Sequence, residues 1–188
     1  LNDLEHHDKI LRLHKSTRER LREYEEVYRK IFDVTGKPKT ILDLGCGLNP
    51  FSIPYMGIKP RYYAFDISDA EAKFIQEYFD KFGIKGRAVS VDLFEAEKFP
   101  KADVCFMFKL LDTLESQKRD VSKELIEKID AEYLVVSFPT VSLGGRKKIS
   151  TRRLVWFRRI IEKYPYITFS ISNEIFFIIH KKSYNRNK

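Results

Sequence analysis

The chain has 188 residues, of which 43% are hydrophobic and 33% charged, and this balance suits one globular domain and excludes a disordered chain. No apolar run approaches the roughly 18 residues that a membrane-spanning helix needs, and no signal peptide is visible. Two cysteines are too few for a disulfide framework or a four-thiolate metal site. The expectation is a reduced, cytoplasmic protein that acts as a monomer.

The positive charge is concentrated in the last quarter of the chain. The formal net charge is +8, but residues 141–188 hold 12 Lys and Arg against 2 Asp and Glu, whereas residues 1–140 hold 23 against 25. Such a concentration is typical of a protein that binds a polyanion such as nucleic acid. A solubilising surface would have the same pattern, so charge alone leaves both interpretations open.

The predicted elements begin with helices and then alternate between strands and helices. Residues 4–32 have apolar side chains at helical spacing, and a helix can begin at Ser16, whose spacing to Glu19 is that of a capping box. Gly36 and Pro38 end this helical region. The segments that follow are strands at 40–44, 61–65, 87–91, 104–108, 133–137, 167–171 and 174–180, and helices at 71–82, 121–129 and 151–164.

Strands that are nearly all apolar and alternate with helices predict a parallel sheet that is buried on both faces. The last two strands are joined by Ser172-Asn173 and predict an antiparallel hairpin. The fold class is therefore α/β and Rossmann-like, with a seven-stranded, mostly parallel sheet. A boundary near Gly36 would separate a short helical extension, residues 1–36, from the sheet domain, residues 37–188.

A glycine-rich turn follows the first predicted strand, in the segment Asp43-Leu44-Gly45-Cys46-Gly47. Glycine is needed where the backbone must approach a ligand closely or adopt a positive φ. A dinucleotide-binding turn would carry a third glycine three residues later, but this chain has Leu48-Asn49-Pro50 after Gly47. The segment therefore disfavours a dinucleotide as the ligand.

Two further acids end the next two strands. Asp66 follows the second strand, where a carboxylate can accept hydrogen bonds from ribose hydroxyls, and Asp92 follows the third, where it can face an adenine amine. Because the carboxyl ends of parallel strands form the ligand-binding edge of open α/β sheets, the three segments should converge there. Together they predict a class I methyltransferase fold that binds S-adenosylmethionine.

The candidate chemistry is narrowed by the motifs that are missing. Methylation of an exocyclic amine usually needs an Asn/Asp-Pro-Pro-aromatic turn after the fourth strand, but this strand runs into Phe108-Lys109-Leu110-Leu111. Carbon methylation of cytosine needs an exposed cysteine nucleophile, whereas Cys105 lies inside an apolar strand. A ring nitrogen such as guanine N7 needs no base, because proximity and alignment can supply most of the rate. The chain fits this last option.

No metal site is expected. The four histidines, His6, His7, His14 and His180, do not have the spacing of metal ligands with a second His or Cys.

The basic C-terminal region contains a loop and a helix that could bind RNA. Arg146, Lys147 and Lys148 form a basic loop near the ligand-binding edge, and the helix after it turns an apolar arc toward the sheet. Cations and Trp156 lie on the opposite side of that helix, where Trp156 could stack on a base or cover the rim of the core. The expected RNA-binding residues are Arg146, Lys147, Lys148, Arg152, Trp156, Arg159 and Lys163.

Taken together, these segments resemble the 16S ribosomal RNA guanine-N(7) methyltransferases that confer aminoglycoside resistance. The most specific segments are His14-Lys15-Ser16-Thr17-Arg18-Glu19-Arg20 and the run Ser-Phe-Pro-Thr-x-Ser-Leu-Gly-Gly-Arg at 137–146. Shorter matches are the glycine loop, Lys109-Leu110-Leu111 and Leu114-Glu115. The resemblance implies an RNA methyltransferase that uses S-adenosylmethionine, yields S-adenosylhomocysteine, and acts on the small ribosomal subunit.

The resemblance also implies roles for individual residues. Arg18 would contact the methionine carboxylate of the cofactor, Asp66 the ribose, and Asp92 with Leu93 the adenine, while Lys109 would line the methyl-transfer pocket. No residue is assigned as a catalytic acid or base. The full expected cofactor set is Arg18, Asp43, Gly45, Cys46, Gly47, Asp66, Ile67, Asp92, Leu93 and Lys109.

The chain departs from the family in two places. The family has a longer helical segment before the Ser-Thr-Arg-Glu-Arg run, and it continues differently after Gly-Gly-Arg, where this chain has Lys147-Lys148-Ile149. We therefore expect a short homologue that keeps cofactor binding. Two other hypotheses remain beside the RNA methyltransferase: a small-molecule methyltransferase of the same fold, and a non-catalytic ribosome- or RNA-binding module that retains the cofactor site.

Overall fold

The computed structural model describes residues 4–141 and 150–181. In these ranges seven strands form one sheet in the order β3-β2-β1-β4-β5-β7-β6, in which only β7 runs antiparallel to its neighbours. This confirms the predicted Rossmann-like sheet and its C-terminal hairpin. The strands are β1 Thr40–Leu44, β2 Arg61–Asp66, β3 Gly86–Ser90, β4 Ala102–Phe108, β5 Ala131–Pro139, β6 Tyr166–Ile171 and β7 Glu174–His180.

Seven α-helices accompany the sheet in the described residues. They are α1 Leu4–Leu11, α2 Lys15–Arg20, α3 Tyr24–Thr35, α4 Asp69–Phe82, α5 Leu111–Gln117, α6 Val121–Lys128 and α7 Val155–Ile161. Two 3-10 helices, Asn49–Met56 and Thr151–Leu154, complete the secondary structure of these ranges. No helix in this part of the chain is long and apolar enough to cross a membrane.

The N-terminal helices differ from the sequence prediction in how they begin. The predicted capping box at Ser16 and Glu19 is wrong, because α2 begins at Lys15 after His14, which makes no side-chain cap. Thr17 instead turns its hydroxyl back to the carbonyl of His14, 3.1 Å away, and to that of Leu11, 2.6 Å away. These bonds join α1 to α2 and leave the backbone at His14 extended.

The core lies on both faces of the sheet, because the central strands are nearly all apolar and their successive side chains point to opposite faces. On one face, α1, α3, α4 and the first 3-10 helix pack against β1, β2 and β4. On the other face, α5, α6 and α7 pack against β4, β5 and β7. The N-terminal helices belong to the first cluster, where the ring of Tyr28 lies 6.1 Å from that of Phe106. The domain boundary near Gly36 stays a prediction.

A buried polar network ties the N-terminal helices to the far end of the sheet. Arg20 at the end of α2 is 4% exposed, and its Nε donates to Oε2 of Glu174, the 3% exposed first residue of β7, at 3.0 Å. Its Nη1 donates to the Asn49 side-chain oxygen at 3.0 Å and to the Tyr24 hydroxyl at 3.2 Å. The hydroxyl of Ser137 donates to the other oxygen of Glu174. One guanidinium therefore joins α2, α3, the segment after β1 and the C-terminal hairpin.

Electrostatics explain why this cation stays charged. Burial by itself would lower the pKa of Arg20, but the interactions with Glu174, Tyr24 and Tyr28 together outweigh it, so the pKa is raised above its ordinary value. Removing one partner of a buried ion pair leaves the other charge uncompensated and typically costs about 3–5 kcal/mol.

We expect Arg20→Met to lower the free energy of unfolding by about 3–5 kcal/mol, because the buried carboxylate of Glu174 would lose its guanidinium partner. Arg20→Met combined with Glu174→Gln should lose less than the sum of the two single variants, since the double variant removes both charges of the pair. Urea unfolding followed by circular dichroism measures both. As a control, Arg29→Met removes an exposed helical pair with Asp33 and should leave the midpoint almost unchanged. A midpoint for Arg20→Met that matches this control would contradict the assignment.

Candidate cofactor-binding site

A cleft of about 500 Å³ opens at the carboxyl ends of β1, β2, β3 and β4. Its size is within the range of small-molecule sites, and its position is the ligand-binding edge of an open α/β sheet. Residues from the start of α2, the four strand ends, α4 and α5 line it. They are His14, Ser16, Gly45, Gly47, Asp66, Ile67, Ser68, Glu71, Val91, Asp92, Leu93, Phe94, Phe108, Lys109, Leu110, Thr113, Leu114 and Gln117.

The glycine loop after β1 forms the floor of the cleft and depends on its two glycines. Gly45 and Gly47 have φ values of 60° and 46°, which other residues rarely adopt. A Cβ at Gly45 would lie 2.5 Å from the side chain of Leu110, and one at Gly47 would lie 3.1 Å from Nδ1 of His14. The loop therefore brings bare backbone close to the space that a ligand would occupy.

Asp66 and Asp92 lie where the sequence predicted them. Asp66 ends β2, and its two carboxylate oxygens accept the backbone N–H groups of Gly47 at 2.7 Å and Ser68 at 3.2 Å. One oxygen of Asp92 accepts the N–H of Phe94 at 2.9 Å. Both acids line the cleft, so the structure brings together the glycine loop and the two carboxylates on which the cofactor prediction depends.

Asp43 and Cys46 lie behind the loop rather than in the cleft. Asp43 is 1% exposed and accepts hydrogen bonds from Asn49 at 2.8 Å and from the Tyr62 hydroxyl at 2.5 Å. Burial raises the pKa of Asp43 to about 6. Cys46 is buried in the core, and its N–H donates to the carbonyl of Phe65 at 3.1 Å. These two members of the expected cofactor set therefore shape the loop, and their side chains are not among those that line the cleft.

Neither cysteine has the environment of a nucleophile. Cys105 is buried in β4, as its apolar surroundings in the sequence suggested, and burial raises the pKa of both thiols well above the ordinary value. Within residues 4–141 and 150–181, no group of three or more His, Cys, Asp or Glu side chains is gathered in a way that could hold a metal ion.

Sequence reasoning missed a contact between two residues that line the cleft, His14 and Glu71. Nε2 of His14, just before α2, lies 3.0 Å from a carboxylate oxygen of Glu71 in the first turn of α4. Partial burial raises the pKa of Glu71, and His14 acts in the opposite direction. The only signal for His14 was its place in the motif before α2, and no pattern distinguished Glu71 from other exposed helical acids. The contact joins the start of α2 to the first turn of α4.

Arg18 is less well placed than the resemblance implies. It is exposed on α2 and is not among the residues that line the cleft, although His14 and Ser16 of the same segment are. Its backbone N–H donates to the carbonyl of His14 at 2.9 Å. Its contact with a cofactor stays a prediction.

Lys109 lies at the end of β4 in a strained conformation. Its φ is 54°, and its N–H donates to the carbonyl and the hydroxyl of Ser137 at 3.1 and 3.0 Å. Its ammonium donates to Oε2 of Glu19 at 2.7 Å and lies 3.4 Å from Oε2 of Glu174. Left-handed backbone at a non-glycine residue is typical of functional sites that the surrounding structure holds in place. Lys109 is therefore fixed at the wall of the cleft, as expected.

The expected RNA-binding residues of the C-terminal helix do not all lie near the cleft. Arg152 is exposed at the cleft end, where its neighbour Arg153 bonds to Asp112 of α5 at 2.8 Å. Arg159 is exposed further along α7. Lys163 lies past the end of α7 and bonds to Glu127 at 3.2 Å, next to the start of β5 and so at the opposite end of the sheet.

Trp156 is half-buried. Its ring meets Phe138 and Phe157 edge-on, with centroids 6.0 and 5.7 Å away, so it covers the rim of the core. Stacking on a base stays a prediction for this side chain. Arg146, Lys147 and Lys148 lie outside the described residues.

Comparisons with known proteins identify relatives along most of the chain. Residues 6–156 match the model of the family described as "Ribosomal RNA methyltransferase (FmrO)". A protein of Micromonospora rosea named 16S rRNA (guanine(1405)-N(7))-methyltransferase is 36% identical over 178 residues, which are 92% of this chain and 65% of that protein. A protein of the same name from Micromonospora echinospora is 38% identical over 142 residues, 74% of this chain and 52% of the relative. The chain thus spans about half to two thirds of the length of these relatives.

Solved structures show the same likeness. The 16S rRNA methyltransferase RmtF, crystallised with S-adenosyl-L-homocysteine, has a TM-score of 0.80 and 33% identity, covering 90% of this chain and 66% of its own. The 16S rRNA methylase ArmA has a TM-score of 0.78 and 27% identity, covering 93% and 90%. The family match and the curated relatives agree with the geometry of the cleft, and the chain belongs to the FmrO family of ribosomal RNA methyltransferases.

Proposed function

We propose that this chain is an S-adenosylmethionine-dependent methyltransferase that methylates N7 of a guanine in the RNA of the small ribosomal subunit. The observation that carries the proposal is the cleft, in which a positive-φ glycine loop meets Asp66 and Asp92 at the carboxyl edge of the sheet. The relatives that bear the name 16S rRNA (guanine(1405)-N(7))-methyltransferase support the choice of target. The proposed unit has residues 1–36 as a helical extension and residues 37–188 as the methyltransferase domain.

The residues of the cleft fit this cofactor. Asp66 would accept hydrogen bonds from the ribose hydroxyls, and Asp92 with Leu93 would hold the adenine. The bare backbone of Gly45 and Gly47 would allow the amino-acid part of the cofactor to approach. Ile67, which is 72% exposed at the end of β2, would cover apolar surface of the bound nucleoside. Arg18 would reach the methionine carboxylate.

When bound, the cofactor would supply a methyl group on a positively charged sulfur, and its transfer to the N7 lone pair of guanine would yield S-adenosylhomocysteine and a 7-methylguanine cation. N7 carries no proton, so the protein has no proton to remove. The chain therefore has to align the methyl group of the cofactor with N7 of the target guanine and to keep other acceptor atoms out of line with it.

Positive charge on both sides of the cleft suits an RNA substrate. Arg12, Arg18 and Arg22 are exposed around α2, and Arg152 is exposed across from them beyond α5. Cations in such positions bind phosphates and orient the nucleic acid without reading its sequence. The basic loop Arg146-Lys147-Lys148 and Arg159 would add to this surface. The proposed enzyme acts as a monomer, in the cytoplasm where ribosomes lie.

Asp66→Ala should weaken the binding of S-adenosylhomocysteine by about 10- to 100-fold, because it removes a charged acceptor for the ribose. Isothermal titration calorimetry measures the dissociation constant. Asp69→Ala is the matched control, since Asp69 is an exposed acid three residues later that does not line the cleft. Equal affinities for the two variants would remove Asp66 from the site.

Arg18→Ala should lower the affinity for S-adenosylhomocysteine about tenfold and leave the affinity for 5′-methylthioadenosine unchanged, because only the first ligand has a carboxylate. Calorimetry with both ligands gives the comparison, with Arg22→Ala as an exposed control on the same face. Loss of affinity for both ligands would indicate a structural effect. No loss for either ligand would show that a group other than Arg18 binds the carboxylate.

The function itself is tested with radiolabelled S-adenosylmethionine and three substrates: intact small ribosomal subunits, naked ribosomal RNA and transfer RNA. We expect label in the subunits, which primer extension after borohydride and aniline cleavage would map to one guanine. Label only in naked or transfer RNA would keep the enzyme class and contradict the target. No label in any of them, with cofactor binding intact, would favour the non-catalytic module or a small-molecule enzyme.

A further inference from the structure

Lys109, at the wall of the cleft beside the glycine loop, forms an ion pair with Glu19. The ammonium of Lys109 and a carboxylate oxygen of Glu19 are 2.7 Å apart. Lys109 lines the cleft, and the next residue, Leu110, packs against Gly45. Glu19 is 30% exposed and so remains accessible from the open side. A donor that lines the cleft and an acceptor on α2, outside the cleft lining, therefore lie next to each other.

The surrounding structure holds this pair in place. Glu174, fixed by Arg20 and Ser137, lies on the other side of the Lys109 ammonium. An ammonium has three donors, and the described residues offer acceptors at Glu19 and Glu174 for two of them. The third donor can serve a ligand. The buried network thereby positions Lys109 for a contact that the protein itself does not make in the described ranges.

Guanine presents the complementary pattern. Its O6 is an acceptor and the adjacent N1–H is a donor, whereas adenine presents an amino donor and a ring-nitrogen acceptor at the same two positions. We propose that Lys109 and Glu19 select guanine as the target base, with the ammonium donating to O6 and the carboxylate accepting from N1–H. This inference rests on the proposed function and adds the residues that choose the base.

The same contacts would orient the reacting atom. N7 is close to O6 on the same edge of the purine, so a hydrogen bond at O6 also fixes the direction of N7. Adenine would place its amino group against the ammonium and its ring nitrogen against the carboxylate, so neither hydrogen bond to the base would form. Glu19 and Lys109 would thus combine selection with alignment.

The experiment uses small subunits rebuilt with an analogue at the mapped guanine. Hypoxanthine keeps O6 and N1–H, whereas 2-aminopurine lacks both. For the wild-type protein, we expect the rate of methylation of hypoxanthine to be within about threefold of the rate for guanine. The rate for 2-aminopurine should be far lower. The selectivity is the single-turnover rate for guanine divided by that for 2-aminopurine. In Glu19→Gln and in Lys109→Met, this ratio should fall by about 10- to 100-fold. Comparing ratios between proteins cancels the intrinsic reactivity of each base.

Two controls separate selection from a structural effect. Glu26→Gln removes an exposed acid on α3 and should keep the wild-type ratio, and calorimetry should show unchanged S-adenosylhomocysteine binding in Glu19→Gln. Rates that fall equally for all bases, with an unchanged ratio, would overturn the inference and leave the proposed function intact. A wild-type protein that methylates no guanine would overturn both.

Discussion

The buried ion pair between Arg20 and Glu174 is the constraint on which the rest of the site depends. It fixes α2 against the start of β7, and through Asn49 it reaches the segment that follows the glycine loop. Asn49 also bonds to Asp43 under the loop, so one continuous chain of polar contacts runs beneath the cofactor cleft. Because every buried polar group in it has a partner, the network can hold its members in a single geometry.

The sheet could be predicted from the sequence because apolar strands and intervening helices leave a strong pattern. Gly45, Gly47, Asp66 and Asp92 were also predictable, since strand ends in this fold converge at one edge. The structure placed all four at the cleft. Asp43 differed because a carboxylate in a strand has the same sequence signal whether it faces ligand or core, and only its 1% exposure distinguishes the two.

The remaining parts of the site come from long-range contacts that no local pattern encodes. Glu71, Glu19 and Glu174 are ordinary acids in the sequence, and their roles follow from partners that the fold brings to them. The helix α5 was missed because its seven residues are too short for a clear apolar period. Cations at helical spacing suggested one continuous RNA-binding face, but α7 runs away from the cleft, so Lys163 lies at its far end.

Arg20 and Glu174 are 154 residues apart, and the second of them is among the last described residues to be synthesised. During translation the helices that carry Arg20 emerge early, but the carboxylate that neutralises this cation follows only after most of the chain has left the ribosome. Contacts of such high sequence separation slow folding, because the entropy of closing a long loop must be overcome before they form. A nascent chain that stops before the C-terminal hairpin would therefore have a complete glycine loop and no anchor beneath it. Truncated products would be exposed to degradation rather than able to sequester cofactor.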